Sequence, residues 1–564
     1  MDPERPWLRF YGGVPHTLQY PDATLYEALA ATAARVPDSV AFDFFGTEVR
    51  YRELVALVDR CSAGLAALGI EAGDPLLVAM PTAPQGVIAF YAANRLGAVA
   101  AMIHPLSPPA EIAHYLHSSG ARVALTLDAF ADRFAALPVE AAPRKLVLAS
   151  IAEYMPAITR AGFWLTKGRH IPPIKRGSHV IPWLEMMQSP HPLPPKAGSA
   201  DSLGAILFSG GTTALPKGVA LSNRNVIAEG MQAAAWVGMG GGDSILAILP
   251  IFHGFGLGVC VNAAFMGGGK SILVPTFTPD TVAKLIRSKR PNLIVGVPTL
   301  FDSLSRNAAL ARTDLSCIKA AFCGADTLPR PVKERFEALV AARGGSARLL
   351  EGYGLTEAVT GIMATPLGEY REGSIGVPFP DMLAKICEVG GTRELPHGEE
   401  GEICVSGPAV MQGYLDDAEA TAQALRRHAD GRTWLHTGDL GRRDADGFFY
   451  FTCRLKRLIK SSGFNVHPAQ VEEVLYAHPA VQEACVIGVP DPHQVERVKA
   501  FVVPKPPAVA GKDLESELIE HCRTHLLKWS CPREVEFREK LPVTRIGKID
   551  FRALAQEEAA NARR

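Results

Sequence analysis

Charge of one sign is missing from this chain. Its 564 residues carry 58 Lys and Arg against 58 Asp and Glu, so no overall field recruits nucleic acid or an acidic partner, and any basic function is local. No Cys-x-x-Cys joins the ten cysteines at 61, 260, 317, 323, 387, 404, 453, 485, 522 and 531, which read as buried thiols of a reducing compartment. The opening Met1-Asp2-Pro3-Glu4-Arg5-Pro6 lacks the apolar run of an export signal, and a cytoplasmic location is expected. Internal repeats and low-complexity tracts are absent. The stretch Ser244 to Gly269 holds no acidic or basic residue apart from His253, yet Pro250 and its glycines argue for a buried strand-turn-helix unit and against a membrane span. Missing, finally, from the glycine-rich run Ser209 to Gly218 is the Gly-Lys-Ser/Thr of a Walker loop, since Pro216 precedes Lys217 and Gly218 follows it, which excludes the ordinary P-loop NTPase for that run.

What is present has α/β texture. At roughly 150 residues per domain the chain makes about three or four units. From 23 to 200, helical patterns such as Thr24 to Arg35 and Tyr51 to Leu68 alternate with strand-like runs at Asp74 to Met80 and Arg122 to Leu127. A second set covers roughly 200 to 380, with Asn292 to Val297 and Ala320 to Phe322. Strand runs with glycine turns dominate 383 to 452, and after Arg454-Leu455-Lys456-Arg457 the α/β pattern returns, with a helix after Pro468 and strands at Ala484 to Val489 and Lys499 to Pro504. The expected fold is α/β: a large N-terminal domain, 1–455, of two α/β subdomains plus a small β unit, and a mobile smaller α/β C-terminal domain, 456–564. The segment Tyr154 to Arg176 sets Phe163-Trp164-Leu165 beside Arg160, Lys167, Arg169, Lys175 and Arg176. It is either a solvated basic loop or a peripheral anchor on anionic lipid at the inner membrane face.

Four segments carry chemistry. The first is Phe208-Ser209-Gly210-Gly211-Thr212-Thr213-Ala214-Leu215-Pro216-Lys217-Gly218. It is read as a loop between the strand Ala205 to Phe208 and a helix from Asn225 to Trp236 capped by Asn223. Its glycines admit backbone N–H groups to a phosphate, its hydroxyls donate to the oxygens, and Lys217 adds a point charge. The second, Glu351-Gly352-Tyr353-Gly354-Leu355-Thr356-Glu357, offers a flat ligand close approach, an aromatic face, a phosphate donor in Thr356 and a magnesium ligand in Glu357. The third, Trp434-Leu435-His436-Thr437-Gly438-Asp439, presents a carboxylate to ribose hydroxyls or caps a helix. The fourth, Pro542-Val543-Thr544-Arg545-Ile546-Gly547-Lys548, ends in a lysine. Each motif alone has a bland alternative; their order and company do not.

With these four in order across nearly its whole length, the chain resembles the adenylate-forming superfamily of acyl-CoA synthetases, beetle luciferases and nonribosomal peptide synthetase adenylation domains. The resemblance implies ATP, Mg2+ and coenzyme A as ligands. It gives Ser209, Gly210, Gly211, Thr212, Thr213 and Lys217 to the β- and γ-phosphates, and Gly324-Ala325-Asp326 with Gly352-Tyr353-Gly354 to the adenine. Thr356 falls to the α-phosphate, Glu357 to the metal, Asp439 and Arg454 to the ribose, and Lys548 to catalysis of adenylation. Lys456 matches the hinge about which the small domain turns to present Ser461-Ser462-Gly463-Phe464 to the thioester step.

In Pro250-Ile251-Phe252-His253-Gly254-Phe255-Gly256 the aspartate of amino-acid-activating relatives is replaced by His253, so an amino acid substrate is disfavoured. His253 is placed near the substrate carboxylate or as a gate to the acyl tunnel. Gly254, Gly256 and Gly258 are read as leaving room for an alkyl chain, faced by Gly296-Val297-Pro298-Thr299. A medium- or long-chain fatty acid is the expected substrate, an aryl acid such as a cinnamate the alternative, and a carrier-protein thiol the alternative acceptor. Departures from the family pattern are Gly210, Ala214, Cys453 and Arg457. Only 16 residues follow Lys548, too few for a fused carrier, since independent domains need roughly 40. The expected outcome for Lys548→Ala is loss of acid-dependent pyrophosphate exchange with thioester formation from supplied acyl-adenylate retained; equal loss of both contradicts a lysine confined to the first step.

Overall fold

A computed structural model describes residues 5–166, 168–171, 179–209, 216–461, 464–491, 495–544 and 549–561, and every count below refers to these. Local signals start the elements. The helix Leu25–Arg35 opens on a capping box: the Thr24 hydroxyl accepts the Glu27 N–H at 3.3 Å and the Glu27 carboxylate accepts the Thr24 N–H at 3.0 Å. Leu25, Leu29 and Ala33 then form its buried face.

Two large sheets make the core. In the eight-stranded sheet, Leu203–Ser209, Val99–Met102, Pro75–Ala79, Val123–Leu127, Lys145–Ala149 and Val180–Pro182 run parallel, with Lys217–Ser222 and Gly413–Tyr414 antiparallel at one edge. In the nine-stranded sheet, Ser244–Ala247 lies between Lys270–Leu273 and Leu293–Gly296, and the parallel run continues through Ala320–Cys323 to Leu349–Gly354. Central strands covered on both faces read as unbroken apolar runs, and Leu76 to Ala79 are fully buried. The helix Pro84–Arg95 is buried at every position, mostly by apolar residues, and its Gln85, Asn94 and Arg95 donate to the Ser150 carbonyl, the Phe90 carbonyl and the Asp59 carboxylate.

The division near residue 200 expected from sequence is not the division of the sheets. Val40–Phe44 and Thr47–Arg50 join the nine-stranded sheet through Phe42 beside Ser271. The strand Lys217–Ser222 returns to the other sheet. Ser244 to Gly269 is the expected buried unit: a strand, a turn, a π-helical segment Phe255–Asn262 and the helix Ala263–Gly267. No helix among the described residues is long and apolar enough to cross a membrane.

Leu383–Cys387, Glu400–Ser406, Leu425–Arg427, Thr433–Arg443 and Phe449–Arg454 form an antiparallel five-stranded unit. The last sheet is built on the hairpin Val481–Asp491 and Val495–Pro504. Its strands alternate faces: Ala484 and Val486 pack with the helices Pro468–Ala477 and Lys512–His525, Cys485 and Ile487 with Phe551–Asn561. The unit is α/β in composition but mainly antiparallel in pairing.

One buried acid stands apart. Glu229, on the helix Asn223–Trp236, is fully buried; its Oε1 accepts the Gly361 N–H at 3.4 Å and its Oε2 has no hydrogen-bond partner. Burial pushes its pKa from 4.5 up to about 8. A raised folded-state pKa means that stability is intact below the unfolded value and is lost as pH climbs through the folded one. Glu229→Gln is therefore expected to remove a pH-dependent loss of up to about 5 kcal/mol between acid and alkaline conditions. Denaturant midpoints against pH check this, and parallel curves for the two proteins contradict it.

Candidate active site

The described candidates from the sequence converge on one cavity of about 1480 Å³. Ser209, Lys217, His253, Gly324, Ala325, Asp326, Gly352, Tyr353, Gly354, Thr356, Glu357, Asp439, Arg454 and Lys456 all line it. Gly210, Gly211, Thr212, Thr213, Ala214, Leu215, Ser462, Gly463 and Lys548 lie outside the described residues.

Glycine-rich segment 209–218 does not join a strand to a helix as expected. It connects two antiparallel strands, with Ser209 paired to Lys217, and the helix begins one strand later. Its cap is Ser222, whose hydroxyl accepts the Asn225 N–H at 3.1 Å, whereas Asn223 Oδ1 accepts from the Leu25 N–H at 3.1 Å. Apolar Val219 and Leu221 two positions apart were the available strand signal, and both are buried. Lys217 is tied down by Asp417 at 2.8 Å and lies 5.2 Å from the Tyr414 ring centroid.

Glu351 to Glu357 turns sharply. Gly354 is required there, because a Cβ would lie 1.5 Å from the Thr360 carbonyl oxygen. After the short turn Thr356–Ala358, Val359 takes φ 64° and ψ −68°, a β-branched residue in a left-handed region that costs on the order of 1–3 kcal/mol. Its carbonyl packs where a Gly254 Cβ would stand, 1.8 Å away, so the His253 segment is clamped to the Glu357 turn. Tyr414 donates its hydroxyl to Glu357 Oε1 at 2.8 Å and orients the carboxylate. A carboxylate is the hard oxygen ligand that Mg2+ takes, so Glu357 fits that ion.

Asp439 is held from two sides, by the Tyr353 hydroxyl at 2.8 Å and by Arg454 Nε at 3.3 Å. Burial and the Asp439 carboxylate raise the Tyr353 pKa far above its ordinary value, so the phenol remains a donor. At its other end the Thr437-Gly438 turn is pinned by Glu402, whose Oε1 accepts the Gly438 N–H at 2.9 Å. His253 Nδ1 accepts the Phe255 N–H at 3.1 Å, which places the proton of the neutral ring on Nε2. Asp326 is exposed at the rim, and Ala325 before it has φ 73°. Glu351, given no role from sequence, also lines the cavity. Burial pushes it to about 7 and the Tyr370 hydroxyl donates to it at 3.3 Å.

An apolar branch of the cavity is walled by Trp236, Val237, Met239, Ile245, Val259 and Val295. The expected origin of this space is corrected. A Cβ on Gly256 would meet the Pro250 carbonyl oxygen at 2.1 Å and one on Gly258 the Glu229 carboxylate at 2.4 Å, so these glycines and Gly254 serve close protein packing and open no room for a ligand. The facing wall is Leu293 and Val295; Gly296 to Thr299 do not line the cavity. Tyr414 and Asp417, which anchor Glu357 and Lys217, were not identified from sequence, since nothing local marks a partner 57 or 200 residues away.

The model of the AMP-binding enzyme family matches residues 29–415, and that of the AMP-binding enzyme C-terminal domain matches 470–548. A long-chain-fatty-acid--CoA ligase of Bacillus subtilis strain 168 is 36% identical over 570 residues, covering 100% of this chain and 99% of that protein. A feruloyl-CoA synthase of an Amycolatopsis species is 32% identical over 515 residues, covering 91% and 94%. Among solved structures, ATP-bound MatB from Rhodopseudomonas palustris superposes with a TM-score of 0.81 at 26% identity, covering 95% of this chain and 99% of that one.

Proposed function

The chain belongs to the AMP-binding, adenylate-forming enzymes, and on that premise we propose that it is an AMP-forming acid:CoA ligase acting on medium- or long-chain fatty acids. The carrying observation is the apolar branch walled by Trp236, Met239 and Val295, which opens from the same cavity as Asp439, Thr356 and Glu357. Burying each methylene is worth about 0.8 kcal/mol, so such a branch favours long acids over short ones. Full-length similarity to a long-chain ligase supports the same reading.

In the first step the fatty carboxylate oxygen bonds to the α-phosphorus of ATP and the bond to the β-phosphate oxygen breaks, releasing pyrophosphate. An anion attacks a polyanion, so the site must supply positive charge and donors. Thr356 donates to the α-phosphate, Lys548 meets the reacting oxygens, and segment 209–218 with Lys217 steadies the departing pyrophosphate. Asp439 and Arg454 hold the ribose, and Gly324-Ala325-Asp326 with Gly352-Tyr353-Gly354 enclose the adenine. Glu357, set by Tyr414, would hold Mg2+, which when bound neutralises triphosphate charge. In the second step the coenzyme A sulfur attacks the acyl carbonyl and AMP leaves. We assign 1–455 and 456–564 as the two domains, the smaller one turning about Lys456 between steps and bringing Gly463 to the thiol.

A second reading, an aryl acid substrate, is favoured by the similarity to a feruloyl-CoA synthase. Thioester formation with coenzyme A across acids of graded length separates them. We expect kcat/KM to rise roughly fourfold per methylene until the branch is filled. A hydroxycinnamate outperforming every alkyl acid overturns the fatty-acid reading, and thioester on a carrier protein but none on coenzyme A overturns the acceptor.

The helix Ala157–Thr166 buries none of its residues and exposes Ile158 and Leu165 at 89% and 74%, with Trp164 beside them and Arg160 and Arg169 close in sequence. Such a face suits a peripheral contact with anionic lipid. Co-sedimentation with phosphatidylserine-containing vesicles is expected to fall severalfold in an Ile158→Ser, Leu165→Ser double variant; equal sedimentation of variant and parent contradicts the contact.

A further inference from the structure

The antiparallel β unit encloses a side-chain cluster that the ligase reaction leaves unused. In its cross-strand register Cys387 stands opposite Glu402 and Cys404 opposite His436, while Glu402 and Cys404 are two positions apart on one strand. Directly paired residues and i, i+2 neighbours share a face, so all four side chains meet on one side of the sheet. All four are buried, none above 7% exposure. Glu402 Oε2 lies 2.8 Å from His436 Nδ1, and Cys404 Sγ lies 3.5 Å from the same nitrogen. The ligand atoms of Glu402, Cys404 and His436 fall within 4.8 Å of one another, and Cys387 packs on Cys404.

We propose that Glu402, Cys404 and His436 form a binding site for a divalent, borderline-soft cation of the zinc class, with Cys387 beside the group and outside it. A thiolate, an imidazole and a carboxylate are three donors that such an ion takes, the fourth tetrahedral position being left to solvent. The carboxylate and Nδ1 at 2.8 Å require a shared positive species, a proton or a cation. A thiol 3.5 Å from that nitrogen is what a proton does not need. An outer partner is also in place: His436 Nε2 lies 3.0 Å from His428 Nε2. His428 Nε2 can accept the His436 N–H and leave Nδ1 for the ion. The nearest cation, Lys385, is drawn aside, its ammonium 4.0 Å from the Trp434 ring centroid and 3.5 Å from Asp430. The ligating thiol gives its proton to solvent. Glu402 and His436 also line the large cavity, which supplies an entry path, and Glu402 holds Gly438, next to Asp439.

Cobalt titration of the full-length, chelator-treated chain tests this. One equivalent of Co2+ is expected to give tetrahedral ligand-field bands with a thiolate-to-cobalt charge-transfer band, bleached by Zn2+. Cys404→Val, chosen to keep the sheet packed, is expected to weaken cobalt affinity at least tenfold with the far-ultraviolet circular dichroism unchanged. Absence of the thiolate band in the folded parent overturns the site. So does a band that Cys404→Val retains, or cobalt held without thiolate, as at the His521 and His525 pair one helical turn apart.

Discussion

Three parts of the molecule meet at the carboxylate of Asp439. It lies on Thr433–Arg443, pairs across the β unit with Arg454 at the start of the link to the C-terminal sheet, and accepts the hydroxyl of Tyr353 from the nine-stranded sheet. With its side chain only 4% exposed, the charge is tolerated because donors approach from both sides. Removing it would leave a guanidinium and a phenol facing each other without an acceptor. The same carboxylate is where the fold leaves a polar acceptor at the mouth of the cavity, so architecture and chemistry share one constraint.

A second constraint places the reacting groups. The strained Val359 turn and the close approach of Gly254 fix the His253 and Glu357 segments to one another. Strain of this kind persists only where the surroundings over-determine it. Here the surroundings are two sheets whose central strands are buried on both faces, and the result is a cavity lined both by charged groups such as Asp439 and Glu357 and by apolar side chains such as Trp236, Met239 and Val295. Adenylation followed by thioester formation needs that pairing: charge stabilisation at phosphorus, and a dry slot for the tail of the acid.

Much of this was legible in the residues. Central parallel strands such as Pro75–Ala79 and Leu293–Gly296 were readable because burial on both faces leaves an uninterrupted apolar run, and Leu25–Arg35 because Thr24 and Glu27 cap it. The motif residues were readable because phosphate, ribose and metal each demand particular donors at short spacing. What was not legible depended on contacts distant in sequence. The strand Lys217–Ser222 was hidden by an expected strand-to-helix turn, and the glycines after His253 were taken for empty space although protein backbone and Glu229 fill it. Asp417, Tyr414 and the Cys387, Glu402, Cys404, His436 patch arise from strand register, which single-residue spacing does not encode.

The central claim is that one cavity seats the nucleotide at Asp439 and the acyl tail between Trp236 and Val295. A crystal structure with a non-hydrolysable long-chain acyl-adenylate analogue tests it most directly. The account predicts ribose hydroxyls on Asp439 and the alkyl chain lying along Val259, Trp236 and Val295. A chain directed into solvent or toward Gly296 to Thr299, with the ribose away from Asp439, would contradict it.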